Sequence, residues 1–336
     1  MSPANLDRRT FLSRLFSFWA ALNLPPFLFA GGSAAADRPE AVVGLISTDD
    51  RTDALHRAVG LAAFPDVQNK RVLIKPNFNT ADPAPGSTHN ETLTALIDEL
   101  QERGAAEVII GERSGPPTTR QVMEEKGIFA LAEARGVQVV NFDELPDDEL
   151  EHFERPGLHW PNGFHVPKIL NEVDHVIALG CLKTHAYGGV FTMALKLAVG
   201  IIPKTGNNYM QQLHRSPHMR KMIAEINLAY RPSLYIMDGV EAFVTGGPSS
   251  GQRVPAGITL VSQDPVAIDA VGVAALRQLG STPAIMDNAI FAQNQIAFAA
   301  ELGLGIDAAE AIRMESDDAD GHAYADKLLE ILAAEA

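Results

Sequence analysis

The sequence predicts an α/β protein: a largely parallel sheet flanked by helices, with an irregular excursion at about residues 145–171. Short β-rich apolar runs alternate with helical patterns along the chain, the mark of βα units. Several of the runs are apolar throughout, as strands covered on both faces must be. The helices between them have recognisable ends.

In chain order the strand candidates are 41–47, 71–75, 107–111, 137–142, 175–182, 233–237 and 257–262. A helix starts at Asn90, carries Leu93, Leu96, Ile97 and Leu100, and stops at Gly104. Another is predicted from Ser216-Pro217, a capping residue before a proline, with Met219, Met222, Ile223 and Ile226 on one face. Asp264-Pro265 opens a third in the same way. The apolar run Phe191 to Ile202 reads as a helix whose only charge is Lys196. Pro146, Pro156, Pro161 and Pro167 break any regular pattern between Leu145 and Asn171, hence the excursion.

Composition narrows the partners. The chain has 336 residues, 46% hydrophobic and 21% charged, which excludes the polar composition of a disordered protein. A formal charge of −15 makes nucleic acid and anionic lipid poor partners. The lone Cys181 rules out an internal disulfide and is too few thiolates for an iron-sulfur cluster or a structural zinc site, so no iron-sulfur cluster is expected. It reads as a small buried apolar group.

Asp7-Arg8-Arg9-Thr10-Phe11-Leu12 resembles a twin-arginine signal, and a mostly apolar run from Leu15 to Ala30 and Ala34-Ala35-Ala36 follow it. The expectation is a signal peptide over 1–36, cleaved after Ala36, and a single α/β domain over 37–336. The partner is then the twin-arginine export machinery and the destination the periplasm. Cleavage removes three arginines and one aspartate and takes the charge from −15 to −17. An uncleaved anchor is the alternative, but the run is short for a bilayer span and Pro25-Pro26 interrupt it. No stable membrane span is expected in the mature form.

In open α/β sheets, ligands bind outside the carboxyl ends of the strands. Here those ends run into Lys75-Pro76-Asn77, Glu112-Arg113-Ser114-Gly115, Lys183-Thr184-His185, Asp238-Gly239 and Asp264. Five strands thus deliver lysine, histidine or carboxylate to one predicted edge. Asp264 suits a helix cap better than a catalyst, and Asp238 before glycine fits a turn as well as a site. Lys183 and His185 alternate and so point the same way. Lys196, alone in an apolar run, needs a ligand or an ion pair. His214 and His218 stand four apart, but Pro217 between them spoils a shared helical face for a metal. The segment from Gly246 to Gly251 lacks P-loop spacing and reads as a flexible loop over the site.

From about Val42 to Leu304 these residues resemble the family called domain of unknown function 362. The resemblance rests on Lys75-Pro76-Asn77, Gly86-Ser87-Thr88, Gly104-Ala105, Lys183-Thr184-His185, and Thr192 with Lys196 and Gly200. It continues through Pro203, His214, Asp238-Gly239, Gly247-Pro248 with Gly251, and Asp264-Pro265-Val266-Ala267 with Asp269. The chain departs from many relatives in lacking a ferredoxin-like cysteine cluster, and it has Leu197 where relatives tend to have asparagine. With the strand-end pattern, the resemblance implies a site in which Lys183, His185, Lys196 and Asp238 are the catalytic candidates. Lys75, Asn77, Thr88, Glu112, Ser114, His214 and Asp269 are the ligand-binding candidates.

Two functions fit these residue types. One is an exported enzyme or cofactor-dependent protein that takes a small anionic ligand on its lysines while a carboxylate moves protons. The other is a non-catalytic periplasmic protein for a metal ion or anion, with Glu112, Asp238, Glu241 and His185 as ligands to a hard or borderline cation.

Overall fold

The computed structural model describes residues 40–61, 63–204 and 208–334. Residues 1–36, read above as a signal peptide, lie outside the described residues. Pro39–Ala336 form one compact unit.

The strands are β1 (Ala41–Ser47), β2 (Arg71–Lys75), β3 (Glu107–Glu112), β4 (Gln138–Asn141), β5 (Leu150–Phe153) and β6 (Phe164–Pro167). After these come β7 (His175–His185), β8 (Val190–Thr192), β9 (Leu234–Gly246), β10 (Gly251–Ser262) and β11 (Ile312–Glu315). The main sheet runs β11-β1-β10-β9-β7-β2-β3-β4, with β8 paired to β7. Pairing is parallel through β9-β7-β2-β3-β4 and between β1 and β11. Only β10 and β8 run antiparallel to their neighbours in it.

Alternation along each strand divides the core. In β2, Ile74 joins Leu55, Leu96 and Ile110 under helices Arg51–Leu61 and Asn90–Glu102. Its neighbour Leu73 joins Ile109, Leu182 and Ile223 on the opposite face, under helices Met219–Ile226 and Pro265–Gln278. Both faces are therefore covered, as the unbroken apolar runs require.

Several expectations are corrected. Because β10 runs against β9, its carboxyl end lies at the opposite edge of the sheet, and Asp264 leaves the predicted site. As Asp264-Pro265 predicts, its carboxylate caps helix Pro265–Gln278, accepting from the N–H of Val266 and Ala267 at 2.8 and 2.9 Å. Residues 246–251 are the tight turn of the β9–β10 hairpin, closed by Gly247 N–H donating to Ser250 O at 2.7 Å. The run Phe191 to Ile202 is strand β8 followed by two short helical turns, Ala194–Leu197 and Ala198–Ile201, since Lys183–Thr192 pairing takes its start into the sheet. The helix predicted from Pro217 begins at Met219, because helix Tyr209–Arg215 ends at Ser216 and uses the turn between. The excursion carries a β5–β6 hairpin and the turn Ile169–Glu172; Pro167 closes an edge strand, where a missing N–H is tolerated. Among the described residues no helix is long and apolar enough to cross a membrane.

Candidate functional site

Parallel pairing sets the ends of β2 and β3 side by side, so that Lys75 and Glu112, 0% and 1% exposed, meet in the interior. Lys75 Nζ donates to Glu112 Oε1 at 2.6 Å and to Pro76 O at 2.7 Å. Glu112 also accepts from the backbone N–H groups of Phe78 and Arg113, both at 2.8 Å. Burial pushes the lysine below and the glutamate above their ordinary ranges, and their mutual attraction opposes both shifts. A carboxyl facing three donors suits the ionised form, which is acceptor-only. The chain crosses this pair at Gly200, where a Cβ would lie 2.6 Å from Glu112 Oε1 and 2.7 Å from Lys75 Nζ. Only glycine permits that approach.

Beyond Glu112, the Arg113 side chain is 5% exposed, and its Nε and one terminal nitrogen have no hydrogen-bond partner. Burial lowers its pKa, with Asp143 and Glu112 acting against the shift; an arginine stays charged regardless.

At the end of β7, Lys183 is buried and donates to the carbonyls of Gly86 and Pro248 at 2.6 and 3.1 Å, tying two loops together. Burial brings its pKa down to about 8. His185 Nδ1 is buried without a partner. Burial, then the charges of Lys196 and Lys183, hold this ring down to about 2, so it is neutral at neutral pH. Lys196 projects from the turn Ala194–Leu197 and makes no hydrogen bond or ion pair among the described residues. Burial first, then Lys183 and Arg113, bring it down to about 7. Gly189 separates the two: a Cβ there would lie 2.7 Å from His185 Nδ1 and 3.2 Å from Lys196 Cε.

One cleft of about 740 Å³ is lined by Arg113, Lys196, His185, His214 and Lys204. A smaller recess leads inward to Lys75, Asn77, Glu112 and Thr192, whose hydroxyl is unpartnered. Positive charge is in excess, since Glu112 answers Lys75 and Asp143 lies 3.5 Å from Lys204. The arrangement can hold an anion and, through Lys196, exchange a proton with it near neutral pH.

Of the candidates, the structure brings His185, Lys196 and His214 to this cleft, Lys75, Asn77 and Glu112 to its inner recess, and leaves the others out of both. Lys183 is turned to the carbonyls of Gly86 and Pro248 and lines neither. Asp238 is engaged by Arg51 Nε at 3.0 Å and Thr92 Oγ1 at 2.7 Å, on the side of helices Arg51–Leu61 and Asn90–Glu102. Asp269 accepts from the N–H of Ala194 and Leu195 at 2.7 and 3.2 Å, so it caps the turn that bears Lys196. Burial raises that carboxyl to about 7. Thr88 donates to Leu179 O at 3.0 Å and holds the backbone at Asn77, while Ser114 is buried and does not line the cleft. The metal-ligand set of the second reading does not converge either. Glu241 lies 3.6 Å from Arg51, apart from Glu112 and His185, and among the described residues no group of three or more His, Cys, Asp or Glu is placed to hold a metal ion. Sequence reasoning passed over Arg113, Lys204 and Tyr187. Arg113 stood within a quoted strand end, but nothing local marks an arginine as buried.

An α/β protein with a cation-lined cleft outside the carboxyl ends of parallel strands is the class that fold and site define. Residues 72–274 match the model of the family described as a domain of unknown function (DUF362), and the chain belongs to that family. It is 28% identical over 210 residues to a thylakoid-associated protein of Synechocystis sp., a match covering 60% of this chain and 61% of that one. The structure is similar to the lactate racemase apoprotein from Thermoanaerobacterium thermosaccharolyticum at a TM-score of 0.41 and 18% identity, over 61% of this chain and 51% of the other.

Proposed function

We propose that the chain is an exported enzyme or cofactor-dependent protein that binds a small anionic ligand, carboxylate or phosphate, in this cleft. The observation that carries the reading is the Arg113 guanidinium, buried with two nitrogens unpartnered among the described residues, on the same cleft as the half-buried Lys196, which makes no hydrogen bond or ion pair among them. Buried donors without acceptors are costly, and neighbouring cations repel. A two-oxygen anion relieves both, with arginine as the fork that fits it. Lys196 then serves as the acid or base on the bound ligand, and neutral His185 orients it. Asp7-Arg8-Arg9 and the alanine-rich end of the apolar run support export to the periplasm.

The test is calorimetric titration with sulfate and inorganic phosphate. Arg113→Met and Lys196→Met, which keep the aliphatic stems, should each weaken binding about tenfold or more, as lost charge-assisted hydrogen bonds of about 1.5–3 kcal/mol require. Unchanged affinity in both folded variants would sink the reading.

A further inference from the structure

We infer that the ligand of this cleft is an amphiphilic anion, an acidic head joined to a flat unsaturated ring. This rests on the anion reading above and adds the class of molecule. A bare carboxylate or phosphate fills only a small part of about 740 Å³, whereas pockets of roughly 300–1,000 Å³ suit drug-sized ligands. The cleft is also divided chemically. Arg113 and Lys196 stand where it meets the inner recess, the third cation Lys204 is answered by Asp143, and among the described residues no Asp or Glu lines the cleft itself. Elsewhere Pro116, Pro117, Val199, Met210, Pro248 and Tyr187 give its wall apolar surface, interspersed with uncharged polar groups such as Thr80, Asn208 and Ser249.

Tyr187 gives the ring its partner. It is 72% exposed, the most exposed large hydrophobic side chain among the described residues. The tight turn that carries it joins β7 to β8, with positive φ at Gly188 and at the β-branched Val190, 76° and 62°. Hydrogen bonds from Gly188 N–H to Ala186 O and from Phe191 N–H to Gly189 O close that turn. A β-branched residue holds such a conformation only where its surroundings impose it. Tyr187 and His185 make a T-shaped contact, ring centroids 6.0 Å apart at 77°, and at 72% exposure most of the tyrosine ring stays open to solvent. An aromatic face held open to water beside a cation pair is the complement of a ring-bearing acid.

Equilibrium titration of the protein with two pairs of probes tests this: inorganic phosphate against phenyl phosphate, and acetate against benzoate. For the pair whose head the site accepts, the ring-bearing probe should bind about tenfold more tightly, the scale of one good aromatic contact. Whichever pair shows the gain identifies the head as phosphate or carboxylate. Tyr187→Ala should cut that ratio to about threefold or less, while Tyr187→Phe keeps it. Ringless anions that bind as tightly as their ring-bearing partners would overturn the ring and leave the anion reading standing. So would a ratio unmoved in folded Tyr187→Ala. If none of the four probes binds, the anion reading fails and takes this inference with it.

Discussion

Replacing Glu112 by Gln removes one charge and one acceptor from the buried end of β3. The carboxylate now serves three donors: Lys75 Nζ at 2.6 Å and the backbone N–H groups of Arg113 and Phe78 at 2.8 Å. An amide has one oxygen, so either orientation turns its NH₂ toward a donor and leaves a buried N–H or ammonium unpaired. Lys75 is also left fully buried without its counter-charge. Breaking a buried pair in this way costs about 3–5 kcal/mol, of which about 1–3 belongs to the orphaned donor. For a chain of this size the melting midpoint should fall by roughly 10 °C. Lys75→Met should cost less, since Glu112 keeps both backbone donors and can take up a proton. The double variant Lys75→Met/Glu112→Gln should be less destabilised than the two single losses added together. Urea unfolding followed by circular dichroism reads all three, with an unchanged slope showing that stability alone has moved. A loss below about 1 kcal/mol for Glu112→Gln, or strict additivity in the double variant, would refute the account of the pair.

Three further outcomes are expected. Sulfate affinity should be flat below about pH 7 and fall by up to tenfold per pH unit above it, because Lys196, brought down to about 7, must be protonated to meet the anion; a profile flat to pH 9 in calorimetry contradicts this. Asp238→Asn should lower stability by about 2 kcal/mol through Arg51 and Thr92 yet keep sulfate affinity within about twofold; a large affinity loss in a folded variant returns Asp238 to the site. Arg8→Lys with Arg9→Lys should leave precursor in the cytoplasm, while the exported form of the parent begins near Asp37; fractionation and N-terminal sequencing decide it.

Local chemistry made much of the fold legible. Strands β1 and β2 fall where the apolar runs predicted them, and helix Asn90–Glu102 follows the spacing of Leu93, Leu96, Ile97 and Leu100. Asp264 caps its helix because the acceptor and the N–H groups it serves lie two and three residues apart. The lysine, glutamate and histidine at the ends of β2, β3 and β7 reach one edge because strands joined by helical crossovers run parallel.

Long-range pairing settled the rest. The direction of β10 depends on its hairpin with β9, and reversing it carried Asp264 to the far edge. Which way Asp238 faces follows from β9 pairing with β7 at Cys181, ahead of a register shift before Lys183. Asp269 reads as a ligand candidate in one dimension and caps the Lys196 turn in three, because the chain brings Ala194 to it across 75 residues. The isolation of Arg113 is not written near residue 113 at all. It arises because Glu112, packed under Gly200, already serves Lys75 and two backbone N–H groups, so that no carboxylate hydrogen-bonds the guanidinium next to it among the described residues. Periodicity and capping act within a turn or two of chain and can be read in one dimension; strand direction, facing and the pairing of buried charge belong to contacts that exist only once the sheet has closed.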